Sequence, residues 1–487
     1  MTELTRRAFL NRLARGATAG AFAGSILNSV RAGAQSTATK PNFVFFLIDD
    51  MGWTDLTCFE SKFYETPNVD RLAGQGVRFT NAYAACTVCS PTRASILTGR
   101  YPARLHITDW IEGHKRPYAK LKVPDWTMYL PLEEVTLAEA LQPAGYVSAS
   151  IGKWHLGKEP YRPTHQGFLL NFGGTEKGQP PSYFWPYNIP TIESGQPGEY
   201  ITDRLTAEGE KFIEKNKDNP FFLYLPHFAV HTPLQAKKDV IARYQAQVKP
   251  DQAQKNAVYA AMIEAVDESV ARIMKKLDEL KLADRTVIIF MSDNGGLIGS
   301  TSNVPLRAGK GSPYEGGHRT PMIIKWPGVT QAGTTCDEPV ISVDFYPTML
   351  EMAGVARNPQ PIIDGVSLVP LLKQTGRLDR KEIFWHYPHY HPGGATPYSA
   401  VRQGDFKLIE FFEDNHVELY NLKDDIGETK DLAATLPEKA AELRKILADW
   451  RKSVGAQLPT PNPDYDPVKD RPKKAAKKGK NKKLPAE

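Results

Sequence analysis

The sequence predicts an α/β fold with a largely parallel central sheet flanked by helices, followed by a smaller C-terminal subdomain of antiparallel strands and one helix. Three observations carry that expectation. Five short apolar runs recur along the chain, and near-continuous apolar runs mark strands buried on both faces of a parallel sheet. Segments between them repeat apolar residues every three to four positions, the period of an amphipathic helix. After about residue 375 the texture changes to short strand-like runs set apart by turn residues, the pattern of an antiparallel meander.

Thr5-Arg6-Arg7-Ala8-Phe9-Leu10 precedes a weakly apolar Ala/Gly-rich run from Ala17 to Leu27, and Ala32-Gly33-Ala34 offers a small-residue cleavage site. A charged start, an apolar stretch and such an end make an export signal. The twin arginine points to the twin-arginine export machinery, which reads an address rather than setting an anchor. Residues 1–34 are therefore expected to be a signal peptide. No later stretch approaches the ~20 apolar residues that span a bilayer. The mature chain, starting near Gln35, is expected to be soluble and exported, periplasmic or secreted, without a stable membrane anchor.

The first run, Asn42–Ile48, ends in Asp49-Asp50, and the second, Tyr146–Ile151, in Gly152-Lys153-Trp154-His155. Phe221–Leu225 leads into Pro226-His227 and then His231; Thr286–Met291 leads into Ser292-Asp293-Asn294; Pro321–Ile324 ends in Lys325-Trp326-Pro327-Gly328. The clearest helical stripe is Tyr259, Met262, Ile263, Val266, Val270, Ile273, Met274, Leu277 and Leu280. Strands alternating with helices argue for an α/β domain, here residues 35–374. Residues 375–467 form the expected subdomain, with strands over 398–402, 406–411 and 417–420. Its helix covers Pro437–Val454, with Ala440, Leu443, Ile446, Leu447 and Trp450 on one face, and a proline-rich wrap follows from Pro459 to Pro467. The Lys-rich tail, 468–487, reads as disordered.

Composition near the globular average excludes a disordered, collagen-like or coiled-coil chain. The 61 Lys+Arg exceed the 55 Asp+Glu, which invites a nucleic-acid or membrane reading. The excess sits at the ends, however. Residues 1–34 carry a net +4 and 469–487 a net +7, leaving the body at −5. No nucleic-acid partner is expected of such a body.

In open α/β sheets, sites gather beyond the carboxyl ends of the strands. Four of the five runs place carboxylate, amide, Lys or His there. Asp49, Asp50, Asp293 and Asn294 offer only oxygen ligands, a set that suits a hard cation such as Ca²⁺. Cys89 stands just before Pro91 at an expected helix start, with Arg93 one turn on. Such a cysteine is either a free thiol at a cap or a reactive thiolate favoured by the helix dipole. His227, four residues before His231, is read as a structural hydrogen-bonder. Cys58, Cys86 and Cys336 leave their pairing open.

Cys89-Ser90-Pro91-Thr92-Arg93, followed by an apolar pair and Thr98-Gly99, resembles the signature of the type I sulfatases. The stretch from Gly145 through Gly152-Lys153-Trp154-His155 resembles their second signature. The resemblance continues through Asp49-Asp50, Val230-His231-Thr232-Pro233, Asp293-Asn294-Gly295 and Gly309–Gly317, covering roughly residues 40–465. It implies an alkaline-phosphatase-like fold and a sulfuric ester hydrolase. It also implies that a maturation enzyme oxidises Cys89 to formylglycine (3-oxoalanine), whose hydrated aldehyde is the nucleophile. The implied metal is one Ca²⁺ held by Asp49, Asp50, Asp293, Asn294 and the group made from Cys89. Arg93 and Lys153 would hold the diol and Lys310 the sulfate; His155 would be the base and His231 the acid for the leaving alcohol. Arg307 and Glu315 flank Lys310 and are expected to orient it.

The implied substrate is a sulfated carbohydrate, as for arylsulfatase A-like and N-acetylgalactosamine-6-sulfatase-like bacterial enzymes. Two loops rich in aromatics and His, 178–187 and 386–391, are expected to frame the sugar through Tyr183, Trp185, His386 and His389, with Arg402. Gly167-Phe168-Leu169 departs from the Gly-Phe-Asp of many relatives, which clouds the subgroup rather than the activity. Two other readings compete: a phosphonate or phosphodiester hydrolase of the same superfamily, and an exported glycan-binding protein with a relict site.

Overall fold

Strand β1 (Asn42–Ile48) lies inside an eight-stranded sheet in the computed structural model, which describes residues 40–356 and 361–470. Its sheet partners are β2 (Val77–Phe79), β3 (Val147–Ile151), β4 (Leu170–Phe172), β5 (Phe221–Pro226), β6 (Thr286–Ser292), β7 (Met322–Lys325) and β8 (Thr334–Cys336). The spatial order is β8-β2-β7-β6-β1-β5-β3-β4. β1 runs parallel to both neighbours, with Phe45 opposite Tyr224 of β5 and Ile289 of β6.

The expectation of strands buried on both faces has a direct explanation in β1. Alternate side chains point to opposite faces. Phe43, Phe45 and Leu47 pack with Ala94, Ile96 and Leu97 of α1 (Cys89–Thr98). Val44, Phe46 and Ile48 pack on the other side with Leu205 and Phe212 of α2 (Ile201–Lys215) and Tyr259 and Val266 of α3 (Ala257–Glu279). Each such buried large side chain stabilises the fold by ~1.5–3 kcal/mol. The α3 stripe is buried as its spacing requires, and Asn256 caps the helix by accepting from Tyr259 N.

The fifth apolar run differs from expectation in direction: β7 is antiparallel to β2 and β6. Burial patterns look the same read either way, so direction was not encoded there. The consequence is functional. Because β6 ends and β7 begins at the same edge, the whole segment between them, including Lys310, stays on the side where β1 and β6 end.

The second sheet is a meander of β9 (Glu382–Tyr387), β10 (Tyr398–Gln403), β11 (Phe406–Phe411) and β12 (Val417–Asn421), each antiparallel to the next. β9 adds a strand that the sequence pattern did not mark. Helix α4 (Pro437–Ser453) covers this sheet with Ala440, Leu443, Leu447 and Trp450, and Trp450 stacks on Phe384 at 4.6 Å. The proline-rich stretch pairs Thr460–Pro461 with Leu121–Lys122. Lys407 of β11 crosses to the main domain, fully buried, with its Nζ 3.0 Å from Glu315 Oε1 and 2.7 Å from Glu428 Oε1.

The expected signal peptide (1–34) and residues 471–487 of the basic tail lie outside the described residues. Among the described residues, no helix is long and apolar enough to cross a membrane.

Candidate active site

Asp49 and Asp50 leave the end of β1, and Asp293 and Asn294 leave the end of the adjacent β6. Asp293 N donates to Ile48 O at 2.9 Å and Asp50 N to Asp293 Oδ1 at 3.2 Å, which sets the two acidic pairs side by side. Asp50 (φ 63°) and His155 (φ 59°) both occupy the left-handed region, a strain that non-glycine residues carry mainly at functional sites.

Gly152 turns the end of β3 toward the site. Its φ is +131°, and a Cβ there would lie 1.9 Å from Pro226 O. The turn delivers Lys153, whose Nζ lies 2.6 Å from Asp49 Oδ2 with both side chains fully buried. Arg93, one turn into α1, spends its donors on Asp293 Oδ2 (3.0 and 2.7 Å) and on Lys153 O (2.9 Å). It therefore braces the strand end carrying the acids and the turn carrying Lys153.

Cys89 opens α1, with Sγ 3.5 Å from Asp49 Oδ1 and 3.6 Å from Lys310 Nζ. Burial pushes its thiol up to about 12, and Lys153 and Lys310 offset only part of that rise. A thiolate is thus disfavoured at this position. All four cysteines are free.

Lys310 arrives on a glycine loop pinned by Lys310 N to Gly296 O (3.1 Å) and Gly311 N to Thr87 O (2.8 Å). Its Nζ sits 2.7 Å from Asp50 Oδ1. Burial alone would raise Asp50, but Lys310, His231 and Lys153 hold it well below the usual carboxylate range. Arg307 and Glu315 do not orient Lys310. Arg307 bonds Tyr420 and Glu428 O and lies over the Tyr314 ring, while Glu315 is spent on Arg319, Tyr83 and Lys407.

The two histidines approach from different strand ends. His155 Nε2 bonds Ile111 O, and its buried Nδ1 has no partner among the described residues. Burial and Lys153 lower its pKa well below the ordinary value. His231 bonds Thr232 O through Nδ1 at 2.7 Å, leaving Nε2 3.6 Å from Asp50 Oδ2. Burial and Lys310 lower it to about 3, against the pull of Asp50. His227 is structural, bonded to Ser269 Oγ at 3.0 Å and stacked on Phe46.

Ligand atoms of Asp49, Asp50, Cys89 and His231 all lie within 4.8 Å of one another. Asn294 donates from Nδ2 to Asp50 Oδ1 at 2.8 Å, while its buried Oδ1 has no partner among the described residues. Burial, with Asp293 and Asp50 nearby, pushes Asp49 up to about 7 despite Lys153. Crowded carboxylates and an orphaned amide oxygen fit a hard divalent cation better than they fit each other. Cys89, His155, His231 and Lys310 face a cavity of about 320 Å³, whose remaining wall includes Trp110, Ile111, Gln179 and His391.

The family described as Sulfatase matches residues 41–355. The chain belongs to the sulfatase family. Residues 309–453 of this sulfatase also match the N-sulphoglucosamine sulphohydrolase C-terminal family. It is 34% identical over 492 residues to a sulfatase of Formosa agariphila, covering 84% of this chain and 88% of that one. Human N-acetylgalactosamine-6-sulfatase is 34% identical over 382 residues, covering 73% and 70%. The crystal structure of Ps i-CgsB in complex with k-i-k-neocarrahexaose superposes with a TM-score of 0.72 at 30% identity, covering 88% of this chain and 94% of that one. This sulfatase is an enzyme that hydrolyses sulfate esters.

The residues expected to contact sugar lie elsewhere than the cavity wall. Tyr183 is fully buried, and its hydroxyl donates to Phe228 O and His231 O, bracing the His231 loop. Trp185 packs edge-on against Tyr187. His386 is saturated by Ser399 and Gln457 O, and His389 bonds Thr108. Arg402 bonds Gly404 O and Tyr83. The composition of these loops cannot separate aromatic packing from an aromatic wall. Trp110 and Gln179 were missed as individuals. The only signal for His391 was its place in the same His-rich stretch.

Proposed function

We propose that this sulfatase removes sulfate from a sulfated sugar, with formylglycine formed from Cys89 and one Ca²⁺ held by Asp49, Asp50, Asp293 and Asn294. The observation that carries the reading is the convergence of Cys89, Lys310, His155 and His231 on one cavity beside the acidic cluster. A hydrated aldehyde at position 89 supplies an oxygen nucleophile that a neutral buried thiol does not. The bound cation supplies positive charge beside the sulfate oxygens.

The chain's own groups fill the remaining roles. Lys310 Nζ, 3.6 Å from Cys89 Sγ, holds an anion against position 89, where fixed charge in a dry site is most effective. Lys153 neutralises Asp49, and Arg93 keeps Asp293 and Lys153 in place. His155 donates from Nε2 to Ile111 O, so its partnerless Nδ1 carries the lone pair and is the base. His231 donates from Nδ1 to Thr232 O, so Nε2 is the atom that hands a proton to the leaving oxygen. An anionic ester beside it, with Asp50, favours the imidazolium that this step needs.

The sugar is supported by a relative named N-acetylgalactosamine-6-sulfatase and by a similar structure in complex with k-i-k-neocarrahexaose. On the same reading, residues 1–34 direct twin-arginine export to the periplasm or beyond, after a maturation enzyme has acted on Cys89. Residues 35–374 form the catalytic domain and 375–467 the C-terminal subdomain. The test is sulfate release by matured enzyme from defined 2-, 4- and 6-sulfated galactose and N-acetylhexosamine saccharides, beside an aryl phosphate diester. Release from at least one saccharide, abolished in Cys89→Ala, is the expected result. Faster turnover of the phosphate diester, or no turnover of any ester, would overturn it.

A further inference from the structure

His391 belongs to the C-terminal subdomain, on the loop that follows β9, yet it lines the same cavity as Cys89 and Lys310. Its ring is held with unusual tightness. Gly393 N donates to Nδ1 at 3.0 Å, and His391 N and O are both engaged, with Ala395 O and Gly394 N at 2.9 Å. On one face Gly311, at φ +80°, leaves no room: a Cβ there would lie 2.2 Å from Nδ1. Trp110 packs edge-on at 5.3 Å. A shared acid couples these two loops, because Asp109 Oδ1 accepts both from Tyr387 OH (2.8 Å) and from Trp110 N (2.9 Å).

This setting fixes the tautomer. Nδ1 accepts a backbone N–H, so in the neutral ring the proton sits on Nε2. Burial, then Lys310, lowers the pKa to about 4, with Asp50 opposing, so the ring stays neutral near pH 7. Among the described residues, Nε2 has no protein partner. Nε2 of this cavity-lining residue is therefore a neutral N–H donor without a protein partner among the described residues.

We propose that His391 is a specificity-determining residue that donates from Nε2 to a hydroxyl or ring oxygen of the sugar bearing the sulfate, while Trp110 offers that sugar its apolar face. The assignment rests on the sugar reading of the proposed function. A neutral donor suits a neutral acceptor, and the sulfate already has Lys310 beside it. Sites built to hydrogen-bond a substrate oxygen discriminate strongly against ligands that lack it.

The test compares matured wild type, His391→Ala and His391→Gln on 4-nitrophenyl sulfate, which has no sugar, and on the best saccharide of the sulfated panel. The readout is the ratio of kcat/KM for saccharide to that for aryl sulfate. His391→Ala is expected to lower this ratio about tenfold, mostly through KM, the scale of one lost hydrogen bond. His391→Gln, which keeps an N–H donor, is expected to restore most of it, and thermal melting checks that each variant folds. A fall by the same factor on both esters would overturn the proposal, since it would place His391 on the sulfate or in the framework. Turnover of the aryl sulfate but of no saccharide by wild type would overturn the sugar reading, and the donor role with it.

Discussion

Lys310 Nζ lies 2.7 Å from Asp50 Oδ1 and 2.9 Å from Oδ2, and that ion pair ties a glycine loop to the end of the central strand. It also leaves the ammonium close enough to Cys89 to serve whatever anion sits there. Lys310→Ala is expected to reduce kcat/KM for a sulfate ester by about 10²-fold or more, the scale of removing one fixed charge from a preorganised site. Steady-state kinetics on the matured variant checks this. A loss below tenfold would show that Lys310 does not meet the reacting sulfate.

Asn294 is the simplest probe of the cation. Its Oδ1 is buried without a partner among the described residues, so a ligand there gives it one. Adding calcium at about 100 times its dissociation constant is expected to stabilise the protein by about 2.7 kcal/mol, read as a rise in melting temperature that EDTA reverses. Asn294→Leu is expected to lose most of that rise. An equal rise in both proteins would place the ion elsewhere.

The strand carrying Lys407 and the segment carrying Glu315 share a buried ion cluster. Lys407, fully buried between Glu315 and Glu428, compensates two carboxylates at once. Lys407→Met is expected to destabilise folding by about 3–5 kcal/mol, because it strands buried charge. Burial pushes Glu428 up to about 7 even with Lys407 present, so adding Glu428→Gln is expected to recover part of the loss. Urea titrations of the single and double variants decide it; no recovery would mean that Lys407 acts by packing.

Acid sensitivity follows from His227. Burial lowers its pKa to about 3 in the folded protein, whereas the unfolded residue titrates near 6.5. Between those values the unfolded chain binds the extra proton, so this stability is complete above pH 6.5 and falls as pH drops. Between pH 6.5 and pH 5 the loss is about 1.6 kcal/mol. His227→Gln, which does not titrate, is expected to shrink the difference in urea midpoint between those two pH values. An unchanged difference would refute the assignment.

What was legible from sequence was legible for physical reasons. β1, β5 and β6 are buried on both faces, so their apolar runs are continuous and their first polar residues mark the site edge. Together with the run of β3, these runs lead into Asp49, Asp50, Lys153, His231, Asp293 and Asn294, all legible as polar residues beyond strand ends. β2, β4 and β8 span only three residues each, too few to show a period.

The sugar wall was less legible because composition does not say which way a ring faces. Tyr183 and Trp185 looked like a platform and turned out to brace and pack. His386, His389 and His391 sit in one short stretch, yet the first two bond Ser399, Gln457 and Thr108, and of the three only His391 lines the cavity. Neighbours from other parts of the chain make that difference, and sequence spacing does not contain them.

The central claim is that position 89 works as an aldehyde in the midst of Lys310, Asp49 and the two histidines. Peptide mass spectrometry across residues 87–93 of protein taken from the active fractions tests it most directly. The expected result is an aldehyde in place of the Cys89 thiol, in proportion to activity. Fully active protein carrying only the unmodified thiol would contradict it.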